Sequence, residues 1–395
     1  MYEKNHPDGS SRAGRYQLTY MVIVSVVTSL SSLLWMRWLM GKDAYALQKG
    51  NRHVLLVFFL GGLASGPLCL VFYGLNFFEI FCDVHVIIYY LYDFLVVGIS
   101  EEGAKLLVFM VLARALGSVK DPMDAAVQGA AVGIGFAIIE NMIYALNRNL
   151  EVLLVRSVIT VPGHMAYTAL AAFGSGAASW WPKDSDERTW LPVGCFAGSV
   201  VLHGSYNTML DHHLAGLALL LDLAVFLGIL ALMEKTRQAS PYRNFRKQDW
   251  QTAVGSLSAG IRNQPANPGF YLRRGYYWLC GRQHRKAASD FAKASALSGG
   301  DPFYRAWEAA AELLDNGPVL AEDVLEDMLH RLTPKRRRFF RQAAGQALHG
   351  SDWRRITIIA DRVILATEGE FWLVARSRER GRLAARARIH RSLVT

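Results

Sequence analysis

Two adjacent glutamates and a lysine, Glu101-Glu102-x-x-Lys105, stand inside an apolar run from about Val84 to Leu116. Ionisable side chains at the centre of a bilayer cost about 2.5–3.5 kcal/mol each even on the lenient insertion scale, so they are seldom idle. Positions 101 and 105 are i,i+4 and positions 102 and 105 are i,i+3, so Lys105 can pair with either carboxylate. Glu101 and Glu102 diverge by about 100° around a helix. One can therefore do chemistry while the other pairs or positions. Further along, Glu140 stands one turn after Phe136 in a glycine-rich stretch and is followed by Asn141. His164 lies in Pro162-Gly163-His164-Met165-Ala166-Tyr167-Thr168, and His203 and Asn207 are again i,i+4.

Three carboxylates, two imidazoles, an amide and a lysine form a hydrolytic inventory. A desolvated glutamate beside a lysine charge is a general base for water. His and Asn can donate to the oxyanion of a tetrahedral intermediate. Glu140, His164 and His203 can equally hold a divalent metal that activates the water. No His-Glu-x-x-His run is present, so the metal stays open. Ser100 beside Gly98 is a weak match to a serine nucleophile paired with His203, and no Gly-x-Gly-Asp signature of aspartyl intramembrane proteases occurs. Two rival readings use the same residues: a non-catalytic membrane scaffold packed through its polar groups, and an ion- or proton-coupled transporter with a Glu/His relay. The transporter reading expects internal repeats and paired broken helices. One break is expected, at Pro162-Gly163.

The elements that carry these groups are apolar runs at roughly 18–40, 53–77, 84–116, 124–147, 152–181, 190–210 and 214–233. Each is near the ~20 residues a helix needs to cross about 30 Å of hydrocarbon. The expectation is an all-α polytopic bundle of about seven transmembrane helices, over 17–235, behind a polar N-terminal tail at 1–16. Lys and Arg in short loops set its orientation. Arg37, Lys42, Lys49 and Arg52 mark an inner loop, whereas the 77–83 connection has acids and no Lys or Arg. Alternation then places Asp211-His212-His213 outside and Lys235 onward inside. Lys4, Arg12 and Arg15 on an outer N-terminus oppose this assignment. Glu101 and Glu102 fall near mid-depth, and Glu140, His164 and His203 in the outer half. Four scattered cysteines at 69, 82, 195 and 280 imply neither a metal site nor a disulfide framework.

In this order on successive membrane helices, Glu101-Glu102-x-x-Lys105, Phe136-x-x-x-Glu140-Asn141, His164 and His203-x-x-x-Asn207 resemble the PrsW family of intramembrane proteases. That family is distantly related to the CAAX-processing and bacteriocin-processing membrane proteases. The wider superfamily usually has Arg where Lys105 stands and His where Glu140 stands, which favours the PrsW branch. The resemblance covers roughly 80–235. It implies hydrolysis of a peptide bond in a membrane-anchored protein, as in regulated cleavage of an anti-sigma factor from its external side. It also implies Glu101 or Glu102 as base, with His164, His203 and Asn207 on the water or the oxyanion. The metal question and the substrate stay open.

The halves of the chain differ in charge. Residues 1–234 hold 14 Lys/Arg against 18 Asp/Glu, and residues 235–395 hold 29 against 15. Lys235, Arg237, Arg243, Arg246 and Lys247 open a basic juxtamembrane stretch, 236–266, expected beside anionic inner-leaflet lipid. Within 267–395, Gly275, Trp278, Gly281, Ala287, Phe291 and Ala294 fit one tetratricopeptide-like helix-turn-helix unit. Helices are expected at about 269–281 and 284–297, flanked by 247–260, 303–315, 319–331, 334–349, 352–366 and 370–391. This reads as a cytoplasmic α-helical repeat-like domain open to a protein partner. The Arg-rich tail from Arg376 to Arg391 reads as a solvated basic helix, and no motif supports nucleic-acid binding. The expected setting is the cell's inner membrane, with the C-terminal domain cytoplasmic.

Overall fold

The computed structural model describes residues 8–42, 54–76, 91–147, 150–180, 186–315 and 320–367. It divides into two compact units, Met1–Arg243 and Asn244–Thr395. The division falls inside the stretch read as juxtamembrane linker. Among the described residues every regular element is helical. The protein is an all-helical membrane protein.

Unit 1 contains α1 (Asp8–Lys42), α2 (Val54–Leu75), α3 (Ile99–Leu116), α4 (Pro122–Asn147), α5 (Leu150–Ala177), α6 (Asp186–Asp211) and α7 (Ala215–Ala239). Helix α1 begins at Asp8, inside the stretch read as a polar tail. Among the described residues, four helical segments are long and apolar enough to cross a membrane: Val22–Lys42, Val54–Leu75, Pro122–Tyr144 and Ala215–Ala239. Helices α3, α5 and α6 fall short of that measure, and these three carry most of the polar candidates.

Helix α4 is the axle of unit 1, with 78% of its apolar window buried. Its start is specified locally. Pro122 occupies the first turn, where its missing N–H costs nothing. Asp124 N donates to Asp121 Oδ1 at 3.1 Å and Asp121 N donates to Asp124 Oδ2 at 3.1 Å, a reciprocal capping box. Glycines then bring its neighbours to backbone contact. A Cβ at Gly135 would stand 2.1 Å from the Phe59 carbonyl oxygen of α2, and one at Gly133 would stand 2.3 Å from the His164 carbonyl oxygen of α5. Exposed Leu and Val on α1, α2 and α7, such as Leu34, Leu70 and Leu220, face outward as lipid-contacting residues should.

Two local features depart from the sequence reading. Helix α5 continues through Pro162 and Gly163 without a break. Proline removes one backbone donor, and the packing of α5 against α4 holds the rest of the ladder. Before α3, residues Asp93–Gly98 form a π-helical turn. Asn76 Nδ2 donates to the carbonyls of Leu95 (3.0 Å) and Val96 (3.3 Å) and to Ser100 Oγ (3.0 Å). Ser100 Oγ thereby accepts from Asn76.

Unit 2 contains α8 (Trp250–Asn263), α9 (Pro268–Cys280), α10 (His284–Leu297), α11 (Pro302–Leu314), α12 (Leu320–His330), α13 (Pro334–Ala347) and a helix over 350–367. These bounds follow the sequence expectations closely. The reason is chemical: α9, α11 and α13 each open on a capping side chain, Asn267, Asp301 or Thr333, followed by proline. Phe291, Trp307 and Phe340 form the core, with ring centroids 5.6 and 4.5 Å apart. Gly275 lies against Phe291, Gly281 lies against Trp250, and Ala287 and Ala294 are buried. The stretch 370–391 lies outside the described residues.

Candidate active site

Lys105 is fully buried and its ammonium is the hub of the polar cluster. Its Nζ lies 2.7 Å from Glu102 Oε1, 3.4 Å from Glu101 Oε2 and 3.1 Å from His164 Nδ1. It also sits 4.0 Å from the centre of the Phe136 ring, so that phenylalanine does more than pack. The i,i+3 and i,i+4 pairings expected from sequence both form. Removing a buried lysine's partner would leave an uncompensated charge, which is strongly destabilising.

The two neighbouring glutamates have different surroundings. Glu102 is fully buried: Oε1 faces His203 Nδ1 at 3.0 Å, and Oε2 accepts from Thr168 Oγ1 at 3.3 Å. Glu101 lines a cavity of about 920 Å³. Its Oε1 accepts from the Tyr73 hydroxyl at 3.2 Å, and its Oε2 stands 3.7 Å from His203 Nε2.

Glu140 sits behind His164. Its Oε2 is hydrogen-bonded to His164 Nε2, and its Oε1 pairs with Arg156 at 2.7 Å. Arg156 Nε donates to Asn141 Oδ1 at 3.0 Å, and its guanidinium stacks 3.8 Å from the centre of the Tyr144 ring. Asn141 belongs to the motif noted in the sequence, whereas Arg156 stands outside it. Tyr73 went unremarked, although a tyrosine near the end of an otherwise apolar helix is a visible signal. Asp222 accepts from Tyr167, whose ring stacks on His203 with centroids 5.2 Å apart.

The contacts fix the tautomers of both histidines. An ammonium only donates, so His164 Nδ1 accepts from Lys105 and its Nε2–H donates to Glu140. An ionised carboxylate only accepts, so His203 Nδ1–H donates to Glu102. His203 Nε2 keeps its lone pair, whereas the lone pair of His164 Nδ1 is already given to Lys105 and would have to leave it to ligate. This constrains the expectation that both imidazoles donate to an oxyanion, because each N–H is already given to a carboxylate. Asn207 lines the same cavity one turn beyond His203.

The metal-ligating expectation changes by one residue. The group whose ligand atoms lie within 4.8 Å of one another is Glu101, His164 and His203, with Glu140 behind an imidazole. Each histidine thus turns one nitrogen to a carboxylate. That support orients imidazoles on metals. The N, N, O donor set fits a divalent ion of the zinc type.

The cavity is lined by the ends of α2, α4 and α6 nearest their C-termini and by the starts of α5 and α7, with Tyr144, Arg156 and Asp211 on its wall. A buried acid–imidazole–lysine cluster at the foot of a cavity between membrane helices defines a class: a hydrolase whose reaction centre is inside the bilayer.

Comparison with known proteins names the family. Residues 49–233 match the family described as PrsW family intramembrane metalloprotease. The chain is 28% identical to Protease PrsW of Shouchella clausii over 204 residues, which is 51% of this chain and 89% of that protein. It is 27% identical to Protease PrsW of Bacillus subtilis over 187 residues, 47% of this chain and 83% of that one. For Protease PrsW of Clostridioides difficile the identity is 25% over 182 residues, 45% and 75% of the two chains. No solved structure matches. Over residues 49–233 the chain is similar to the PrsW family of intramembrane proteases, and these matches indicate a peptidase.

Proposed function

We propose that this peptidase cleaves a membrane-anchored protein, with Glu101 acting on the attacking water. One observation carries the assignment: among the three carboxylates, Glu101 alone both lines the cavity and belongs to the group with His164 and His203. Glu102 is the positioning carboxylate, holding Lys105 and fixing the His203 ring. Glu140 does the same for His164, and Arg156 balances its charge. Asn207 supplies an amide donor to the cavity wall.

The donor set supports a metal-assisted version. Glu101, His164 and His203 would hold a divalent ion, which when bound polarises a carbonyl and acidifies water. In that version Lys105 neutralises Glu102 beneath the site. Metal analysis of the purified protein, with cleavage measured in chelator, separates the two versions.

The reading extends to topology. All seven helices of unit 1 cross the cell's inner membrane, and unit 2 is cytoplasmic. The cavity supports this, since it opens at the end of the bundle that carries Asp211 and His213, the end that the Lys/Arg distribution assigns to the outside. The basic residues from Lys235 to Lys247 then meet inner-leaflet lipid. Unit 2, a tetratricopeptide-like helical array, offers a surface to a cytoplasmic protein.

The test is cleavage of a single-pass reporter by the reconstituted full chain. Glu101→Gln is expected to lower the rate by about 10³-fold, equivalent to about 4 kcal/mol in the barrier. His203→Ala is expected to abolish turnover. Unchanged cleavage by both variants would sink the assignment, and no cleavage by the wild type would favour the scaffold reading.

A further inference from the structure

Amide hydrolysis moves negative charge onto the carbonyl oxygen, and a donor must already be aimed at it. The charged and imidazole donors of the cluster already have partners. Lys105 directs its ammonium at Glu101, Glu102 and His164 and is fully buried. His203 Nδ1 faces Glu102, and His164 Nε2 faces Glu140. Arg156 is engaged by Asn141 and Glu140. Among the described residues, the wall beside Glu101 carries a further donor in contact with it, the Tyr73 hydroxyl on α2.

We infer that Tyr73 is a catalytic residue, donating from its phenol O–H to the oxyanion formed when Glu101 activates water. The inference rests on Glu101 being the group that acts on the water. The Tyr73–Glu101 separation of 3.2 Å is long for a hydroxyl on a carboxylate, where 2.5–2.7 Å is usual. The hydroxyl is therefore in place without being clamped, and rotation about its C–O bond re-aims it. As the water oxygen bonds to the carbonyl carbon, its proton passes to Glu101 and the carbonyl π pair moves onto oxygen. A neutralised Glu101 holds the phenol less strongly, just as the oxyanion needs it. Tyr73 keeps its proton throughout. On collapse the C–N bond breaks and Glu101 returns the proton to the leaving amine. Tyrosine is suited to this place because its ring packs against apolar surface while its hydroxyl reaches the polar end of the cavity.

The experiment compares wild type, Tyr73→Phe and Glu101→Gln, all full chain in nanodiscs. Tyr73→Phe keeps the ring and removes the donor. Expected results are a 10²–10³-fold fall in kcat, a KM within about twofold, and an unchanged melting temperature. Binding provides an arm that needs no turnover. A peptide trifluoromethyl ketone, which hydrates to a tetrahedral centre, is expected to bind Tyr73→Phe at least 30-fold more weakly than wild type. The parent amide peptide is expected to bind both equally. Equal binding of the ketone by both proteins overturns the inference and leaves Tyr73 as a positioning residue for Glu101, even if kcat falls. If Glu101→Gln cleaves normally while the ketone still discriminates Tyr73→Phe, the base assignment fails and the tyrosine's role survives.

Discussion

Gly62 and Gly135 bring α2 and α4 backbone to backbone in unit 1, whereas Phe291, Trp307 and Phe340 hold the helices of unit 2 together through stacked rings. One charged pair from each unit shows a related contrast. In unit 1 the Lys105–Glu102 pair is wholly buried, whereas in unit 2 Arg341–Asp361 is half exposed on each side. Solvent explains both contrasts. Lipid tails are as apolar as leucine, so burying more leucine gains little, and helices associate through close contact and polar links. In water, covering a ring removes apolar surface from the solvent and drives association directly. A catalytic cluster of charges is easier to retain in a unit that already uses polar links as glue.

The largest expected effect falls in unit 2. Phe291→Ala should destabilise it by about 3–5 kcal/mol through lost burial and a cavity beside Gly275. Hydrogen exchange on the full chain should then show lost protection in α9 to α11 and none in α4. If α4 loosened as well, the contrast between the units would fail. Next comes Gly135→Val, whose added carbons meet backbone of α2. A cost of about 2–3 kcal/mol is expected, seen as a lower melting temperature for unit 1 with unit 2 peptides unchanged.

The smallest effect concerns Asp301, the N-cap of α11. Burial raises its pKa, but the hydrogen bonds from Arg336 and Phe303 N outweigh burial and leave it below the usual carboxylate value. A depressed carboxylate adds stability that is present above the unfolded value, near pH 4, and lost as pH falls through the folded one. Unit 2 should lose about 1 kcal/mol from this cap on acidification, and Asp301→Asn should remove that part of the pH dependence.

Much of this architecture could be read from residue order. Caps followed by proline are visible at the starts of α9, α11 and α13, and Glu101, Glu102 and Lys105 stand out as charges in an apolar run. What stayed hidden depends on contacts between distant residues. The π-helical turn at Asp93–Gly98 has no signature in its own residues, and its freed carbonyls are met by Asn76 from another helix. The proposed preference for Glu101 over Glu102 depends on which carboxylate lines the cavity, which their adjacent positions do not tell. Glu140 qualifies as a ligand by residue type alone, whereas its oxygens face His164 Nε2 and Arg156. Pro162 suggested a break, and the packing of its helix against α4 overrides that local tendency.

The burial of α4 has a consequence for biosynthesis. A helix with so little surface for lipid has few partners when it first leaves the ribosome: α2 precedes it, but α5 has yet to be made. Its Gly133 face stays open until His164 arrives, and Glu102 lacks its imidazole until His203 follows on α6. The reaction centre is therefore completed late in synthesis, and a chain interrupted before α6 carries the carboxylates without the histidine that completes them.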